Sequence, residues 1–126
     1  MISILLADDH KQVRKALRAT LEDCDGWHVC GEAGDGREAV RLACELKPDV
    51  AVLDYSMPGL NGVEATRQIK KVLPDVEVLI LTMYDSDALR TSAREAGARG
   101  FVPKSNDEFQ IINAIRIVLK DKASGV

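Results

Sequence analysis

Short apolar runs alternate with amphipathic stretches along the whole chain. ISILLA from Ile2, VAVL from Val50, VEVLIL from Val76 and GFVP from Gly100 read as strands, with another at about 27–32. The run at 49–53 is almost continuously apolar, as expected for a central parallel strand covered on both faces. Between the runs, apolar positions recur at helical spacing. Residues 11–23 place Val13, Ala16, Leu17, Thr20 and Leu21 on one face. Gly34-Asp35-Gly36 breaks the second strand, and Asp35 with Glu38 three residues on is a capping-box signal. The helix that follows is expected to bury Ala39, Val40, Ala43 and Leu46 before Pro48 ends it. Asn61 with Glu64 starts a third helix presenting Val63, Ile69, Val72 and Leu73, ended by Pro74. Asp85 or Ser86 caps a fourth, which closes at Gly97. Asn106 starts the last, with Phe109, Ile112, Ile115 and Leu119 inward.

Five strand–helix units in this length predict an α/β fold: an open, doubly wound five-stranded parallel sheet with helices on both faces. Strand order 2-1-3-4-5 suits the count. It places a crevice outside the carboxyl ends of strands one and three. The acidic pair Asp8-Asp9 ends strand one, and Asp54 ends strand three. Thr82 and Lys104 end strands four and five. Residues 1–121 are expected to form one domain, and 122–126 a tail or the start of a linker.

Composition narrows the partners. The 126 residues carry a formal charge of −3, with a pI near 5.4. That argues against direct binding to free nucleic acid or an anionic membrane. No apolar run approaches the roughly 18 residues of a membrane span, and the opening lacks the basic leader and cleavage site of a signal peptide. Cys24, Cys30 and Cys44 show no paired spacing and read as buried or half-buried reduced thiols. His10 and His28 have no partner at zinc-ligand spacing.

Each strand-end residue has an ordinary explanation alone. Asp9 would cap a helix, Asp54 a turn; Thr82 suits a strand, and Lys104 a solvated loop. Together they are the parts of a phosphoryl-transfer site. Three clustered carboxylates repel one another without a cation, and hard oxygens with open positions suit Mg²⁺. Lys104 and the Thr82 hydroxyl would meet phosphoryl oxygens. A central carboxylate can serve as nucleophile. Asp54, on the middle strand, fits that role, and Asp8 and Asp9 fit the metal.

An acidic pair, an Asp after strand three followed by M-P-G, a Thr after strand four and a Lys after strand five resemble the response-regulator receiver domains, a CheY-like, flavodoxin-like family. The resemblance covers essentially the whole chain. D-D-H-K-Q-V-R, and L-T-M-Y-D through A-G-A-R-G-F-V-P-K-S, are similar to the LuxR/NarL-type transcriptional regulators. It implies a cytoplasmic two-component switch in which a sensor histidine kinase phosphorylates Asp54. Asp9 would ligate Mg²⁺ directly and Asp8 through water, with Asp54 and the Ser56 backbone carbonyl completing the protein ligands. Thr82 and Lys104 would bind the phosphoryl oxygens. Phe101 falls at the rotating switch aromatic, although a plain core aromatic is an equal reading. Ser56 and Tyr84 fall where receivers tune dephosphorylation. Many receivers carry a cis proline after the lysine; here Ser105 follows Lys104 and Pro103 precedes it. The resembling regulators continue into a helix-turn-helix domain that this chain does not contain, so contact with DNA would run through that domain.

Output would pass through the face of the fourth helix, fifth strand and fifth helix. Ile111 and Val118 suggest a partly exposed stripe for a homodimer through the last helix, with the first helix or the output face; a broad core face is the alternative. Two other functions compete. A haloacid-dehalogenase-type phosphohydrolase would put its nucleophile after the first strand, which this pattern does not. A phosphorylation-independent interaction module usually lacks one of the acids or the lysine, and all are present. The reading is a switch, not a turnover enzyme.

Overall fold

The computed structural model describes residues 1–104 and 108–123. Ten elements alternate: β1 Ile2–Ala7, α1 Lys11–Glu22, β2 Trp27–Ala33, α2 Gly36–Leu46, β3 Val50–Asp54, α3 Gly62–Val72, β4 Glu77–Thr82, α4 Asp87–Ala96, β5 Gly100–Pro103 and α5 Glu108–Ala123. The strands form one parallel sheet in the order β2-β1-β3-β4-β5. This is the doubly wound arrangement that the alternation predicts.

The strict two-residue alternation of strand side chains divides the core. Leu5, Ala7, Ala51, Leu53, Val78 and Ile80 face α2, α3 and α4. Ile4, Leu6, Val50, Val52, Leu79 and Leu81 face α1 and α5. β1, β3 and β4 are therefore apolar on both sides, which is why residues 4–7, 50–53 and 78–81 run without polar breaks. Each fully buried Leu or Ile contributes roughly 1.5–3 kcal/mol.

Helix starts follow the capping chemistry. Asp35 accepts from the Glu38 amide at 2.8 Å, Asn61 from the Glu64 amide at 2.9 Å and Ser86 from the Leu89 amide at 3.1 Å. Ser86, rather than Asp85, is the cap of α4. Gly97 ends α4 with φ +108°, a conformation that a side chain would strain. The α1 cap is His10, whose side chain makes no capping bond. The start expected for the last helix, Asn106, lies outside the described residues, as does Ser105. α5 runs to Ala123, two residues past the expected end of the domain at 121.

Several inward positions differ from the expectation. Leu46 and Val72 are exposed. Each is the last residue of its helix, where neighbours flank only one side. Val13 and Ala16 are also exposed. The inward stripe of α1 instead runs through Arg14, Leu17 and Leu21, at offsets of three and four. On α5, Ile111 and Val118 are 4% and 3% exposed, so they are core and not a surface stripe. Phe109 is 72% exposed, not inward. The face of α5 is centred on Ile111, Ile115 and Val118, and Phe109 and Ile117 fall at least about a third of a turn from that centre. Cys44 is exposed, whereas Cys24 and Cys30 are half-buried, and all three are free thiols. Among the described residues, no helix is long and apolar enough to cross a membrane.

Candidate active site

Register brings the strand ends together. Ala7 pairs with Leu53, Asp54 with Leu81 and Thr82 with Pro103. β1, β3, β4 and β5 therefore finish at the same rim. Asp8 leaves β1 with its amide still bonded to the Ala33 carbonyl at 3.0 Å. The Lys104 amide donates to the Thr82 carbonyl at 2.6 Å, holding the lysine beside β4.

At this rim, one ammonium bridges two carboxylates. Lys104 Nζ lies 2.8 Å from Asp8 Oδ2 and 3.0 Å from Asp54 Oδ2. Both acids are almost wholly buried. The Ser56 amide donates to Asp54 Oδ1 at 3.4 Å. Burial raises the Asp54 pKa; the Asp8 charge adds to the rise, while the Lys104 hydrogen bond and the Ser56 amide oppose it. Burial would lower the Lys104 pKa, but its hydrogen bonds to Asp8 and Asp54 outweigh that and raise it.

Asp9 is more open. Its Oδ1 lies 3.0 Å from His10 Nδ1. Asp8 Oδ1 accepts the His10 amide at 2.9 Å and sits 3.3 Å from the same ring nitrogen. One ligand atom from each of Asp8, Asp9 and His10 falls within a 4.8 Å cluster. The donor set suits a hard divalent cation: three carboxylates at one rim against a single ammonium leave excess negative charge.

The loop after β3 is locked from behind. The Tyr55 amide donates to the Leu81 carbonyl at 2.7 Å, and the Gly62 amide to the Tyr55 carbonyl at 2.9 Å. A Cβ on Gly62 would sit 2.6 Å from the Asp54 carbonyl oxygen, so only glycine permits this approach.

Thr82 is buried, yet its hydroxyl turns to its own loop. Oγ1 accepts the Tyr84 amide at 2.9 Å and donates to the Tyr84 carbonyl at 3.1 Å. Met83 and Tyr84 are exposed. Phe101 is half-buried against the core on the α2–α4 side, with the Arg90 guanidinium 4.7 Å above its ring. Asp85 grips Arg90 with both oxygens, at 2.7 and 3.2 Å.

Of the five groups expected to meet, Asp8, Asp54 and Lys104 do so directly, whereas Asp9 turns to His10 and the Thr82 hydroxyl to the Tyr84 backbone. His10, which has no partner at zinc-ligand spacing in the sequence, joins Asp8 and Asp9 here, an adjacency that D-D-H already contains; the sequence pattern did not mark Arg14 or Arg90.

The response regulator receiver domain model matches residues 4–116, and the chain belongs to that family. It is 41% identical over 118 residues to the response regulator GacA of Pseudomonas viridiflava, covering 94% of this chain and 55% of that protein. It is 44% identical over 120 residues to the transcriptional regulatory protein LiaR of Bacillus subtilis (strain 168), covering 95% and 57%. A LuxR-family two-component response regulator from Aurantimonas sp. SI85-9A1 superposes with TM-score 0.91 at 41% identity, covering 95% of this chain and 86% of that one. The chain is a switch domain with the CheY-like fold. It spans about half the length of the curated relatives it matches.

Proposed function

We propose that this domain accepts a phosphoryl group on Asp54 from a phosphohistidine of a sensor kinase. The observation that carries the reading is the shared ammonium: Lys104 within 3.0 Å of Asp54 and 2.8 Å of Asp8 at the strand-end crevice. Burial leaves Asp54 a more basic, more nucleophilic carboxylate. Its oxygen attacks phosphorus as the N–P bond of the donor breaks. Lys104 is already placed to follow the transferred charge. Thr82 reaches a phosphoryl oxygen by giving up its bonds to Tyr84, which frees the β4–α4 loop. Asp8, Asp9, Asp54 and the Ser56 carbonyl would hold Mg²⁺, which would neutralise charge on the phosphoryl oxygens when bound.

The release of Thr82 is the event that Phe101 would answer, by rotating into the space vacated. The face of α4, β5 and α5 would then change its packing, as a population shift rather than a rigid push. Output through transcription belongs to a DNA-binding segment such as the longer relatives have room for. A homodimer through α5 would use Phe109 and Ile117, with α1 or the output face. The domain is a slowly self-reversing cytoplasmic switch and not a turnover enzyme. Ser56 and Tyr84 stand on the route of hydrolytic water. Tyr84→Ala is expected to shorten the lifetime of the phosphorylated state several-fold, read by the decay of the adduct.

The test is intact-protein mass after incubation with a small-molecule phosphodonor, with and without Mg²⁺, beside Asp54→Asn. One phosphoryl adduct that needs both Mg²⁺ and Asp54 is expected. A folded protein that gains no adduct under any of these conditions would overturn the reading.

A further inference from the structure

We propose that Arg14 is a positioning residue for the acidic pair, fixing the main chain that carries Asp8 and Asp9 and so setting their affinity for a divalent cation. The proposal rests on the reading of those two acids as cation ligands. Arg14 lies on the inward stripe of α1, in line with Leu17 and Leu21, where an apolar side chain would be the default. Its side chain is only 16% exposed. A guanidinium so placed loses hydration and must be held by partners. It has two, in different directions. Nη1 donates to the Asp8 carbonyl at 2.5 Å, and Nε to Glu32 Oε1 at 3.1 Å.

The carbonyl is the important one. Asp8 follows the last residue of β1, so its carbonyl has left the sheet ladder, and a half-buried carbonyl needs a donor. Arg14 supplies it. The Asp8 amide is held separately, by Ala33 of β2. Both peptide groups around Asp8 are thereby fixed, and the second carries the chain into Asp9. Glu32 is itself braced: its other oxygen accepts from Arg18 Nη1 at 2.9 Å, and Arg18 also reaches Glu22 at 3.1 Å. Burial would raise the Glu32 pKa, but its hydrogen bonds to Arg18 and Arg14 outweigh that and hold it below its ordinary value. The anchor stays charged at neutral pH. Arg14 meets these two partners with separate nitrogens, Nε and Nη1, held apart in one rigid plane; a lysine has a single donor nitrogen on a flexible stem and does not reproduce that spacing.

Charge and position predict opposite signs. A guanidinium near carboxylates repels an incoming cation, so removing it would tighten binding if charge were its whole role. If it positions the pair, removal weakens binding, by about 10-fold on the scale known for groups that orient metal ligands. Calorimetric titration with Mg²⁺ separates the two, using the wild-type domain, Arg14→Gln, Arg14→Lys and Asp9→Asn, each shown to be folded by circular dichroism at the titration temperature. Arg14→Gln is expected to bind about 10-fold more weakly. Arg14→Lys keeps the charge and loses the fork, so it is expected to bind several-fold more weakly too; it is also the arm to read should Arg14→Gln not fold. Wild-type or tighter affinity in Arg14→Lys overturns the proposal, as does tighter binding in Arg14→Gln. Asp9→Asn distinguishes the underlying reading. If it binds like wild type, or wild type binds nothing, the acidic pair is not the cation site and both ideas fall.

Discussion

The β1–β3 side of the rim and the β4–β5 side are built differently. At β1 and β3, buried acids are joined to Lys104 across the sequence, as in the Lys104–Asp8 bond. Arg14 and Ala33 hold the backbone beneath. At β4, among the described residues, the Thr82 hydroxyl bonds only to its own loop, two residues away. Asp85 and Arg90 form an exposed ion pair over Phe101. The first side is preorganised by long-range contacts, so charge meets a site that needs little rearrangement. The second is held by local contacts that cost little to break. A switch needs this asymmetry: a rigid place to receive the signal and a loose one to answer it.

The comparison breaks most severely at Gly62. Gly62→Ala drives a methyl group into the Asp54 main chain. Equilibrium unfolding should show a loss of about 3 kcal/mol, the upper part of the range for overpacking. A loss below about 1 kcal/mol would mean that the β3 end is not rigid after all.

Asp54→Asn should act in the other direction. A carboxyl whose folded pKa is raised binds its proton more tightly in the folded state. Its contribution is therefore fully present below the unfolded value and lost as pH rises through the folded one. At neutral pH the wild-type domain carries the cost of the ionised, buried acid, and Asn removes it. The variant should be more stable by on the order of 1 kcal/mol at pH 7, and the gain should vanish below the ordinary carboxylate value of 3.8. Denaturant midpoints from about pH 3 to 8 would read it; a variant less stable throughout would show that the ion pair with Lys104 outweighs burial.

Arg90→Ala should do least to stability, leaving the denaturant midpoint nearly unchanged, because both partners of its ion pair are solvent-exposed. Its effect belongs to Phe101. Loss of the cation above the ring should broaden the Phe101 side-chain resonances in NMR spectra. Unchanged resonances would sharpen the contrast differently, placing the looseness in the Thr82 loop alone.

Most of the fold was legible because it rests on local chemistry. The continuous apolar runs of β3 and β4 can only be central strands, and Asp35, Asn61 and Ser86 announce their helices by oxygen and spacing. The site was legible for the same reason: a strand end is a sequence position, so Asp54 and Lys104 could be named from their neighbours. The inward faces of helices were less legible. Whether Ile111 or Phe109 meets the sheet depends on how the helix axis lies over it, which no local pattern states. Arg14 was hidden by its type. A charged residue at an inward position looks like surface until its partners, Asp8 and Glu32, are seen beside it.

The shortness of β5 has a consequence of its own. An edge strand exposes unpaired amides and carbonyls that can template pairing with another chain. β5 has only four residues and ends in Pro103, which has no amide hydrogen to offer. An incoming strand would find too few donors to dock. A neighbouring chain that came against this edge would find little on which to extend the sheet.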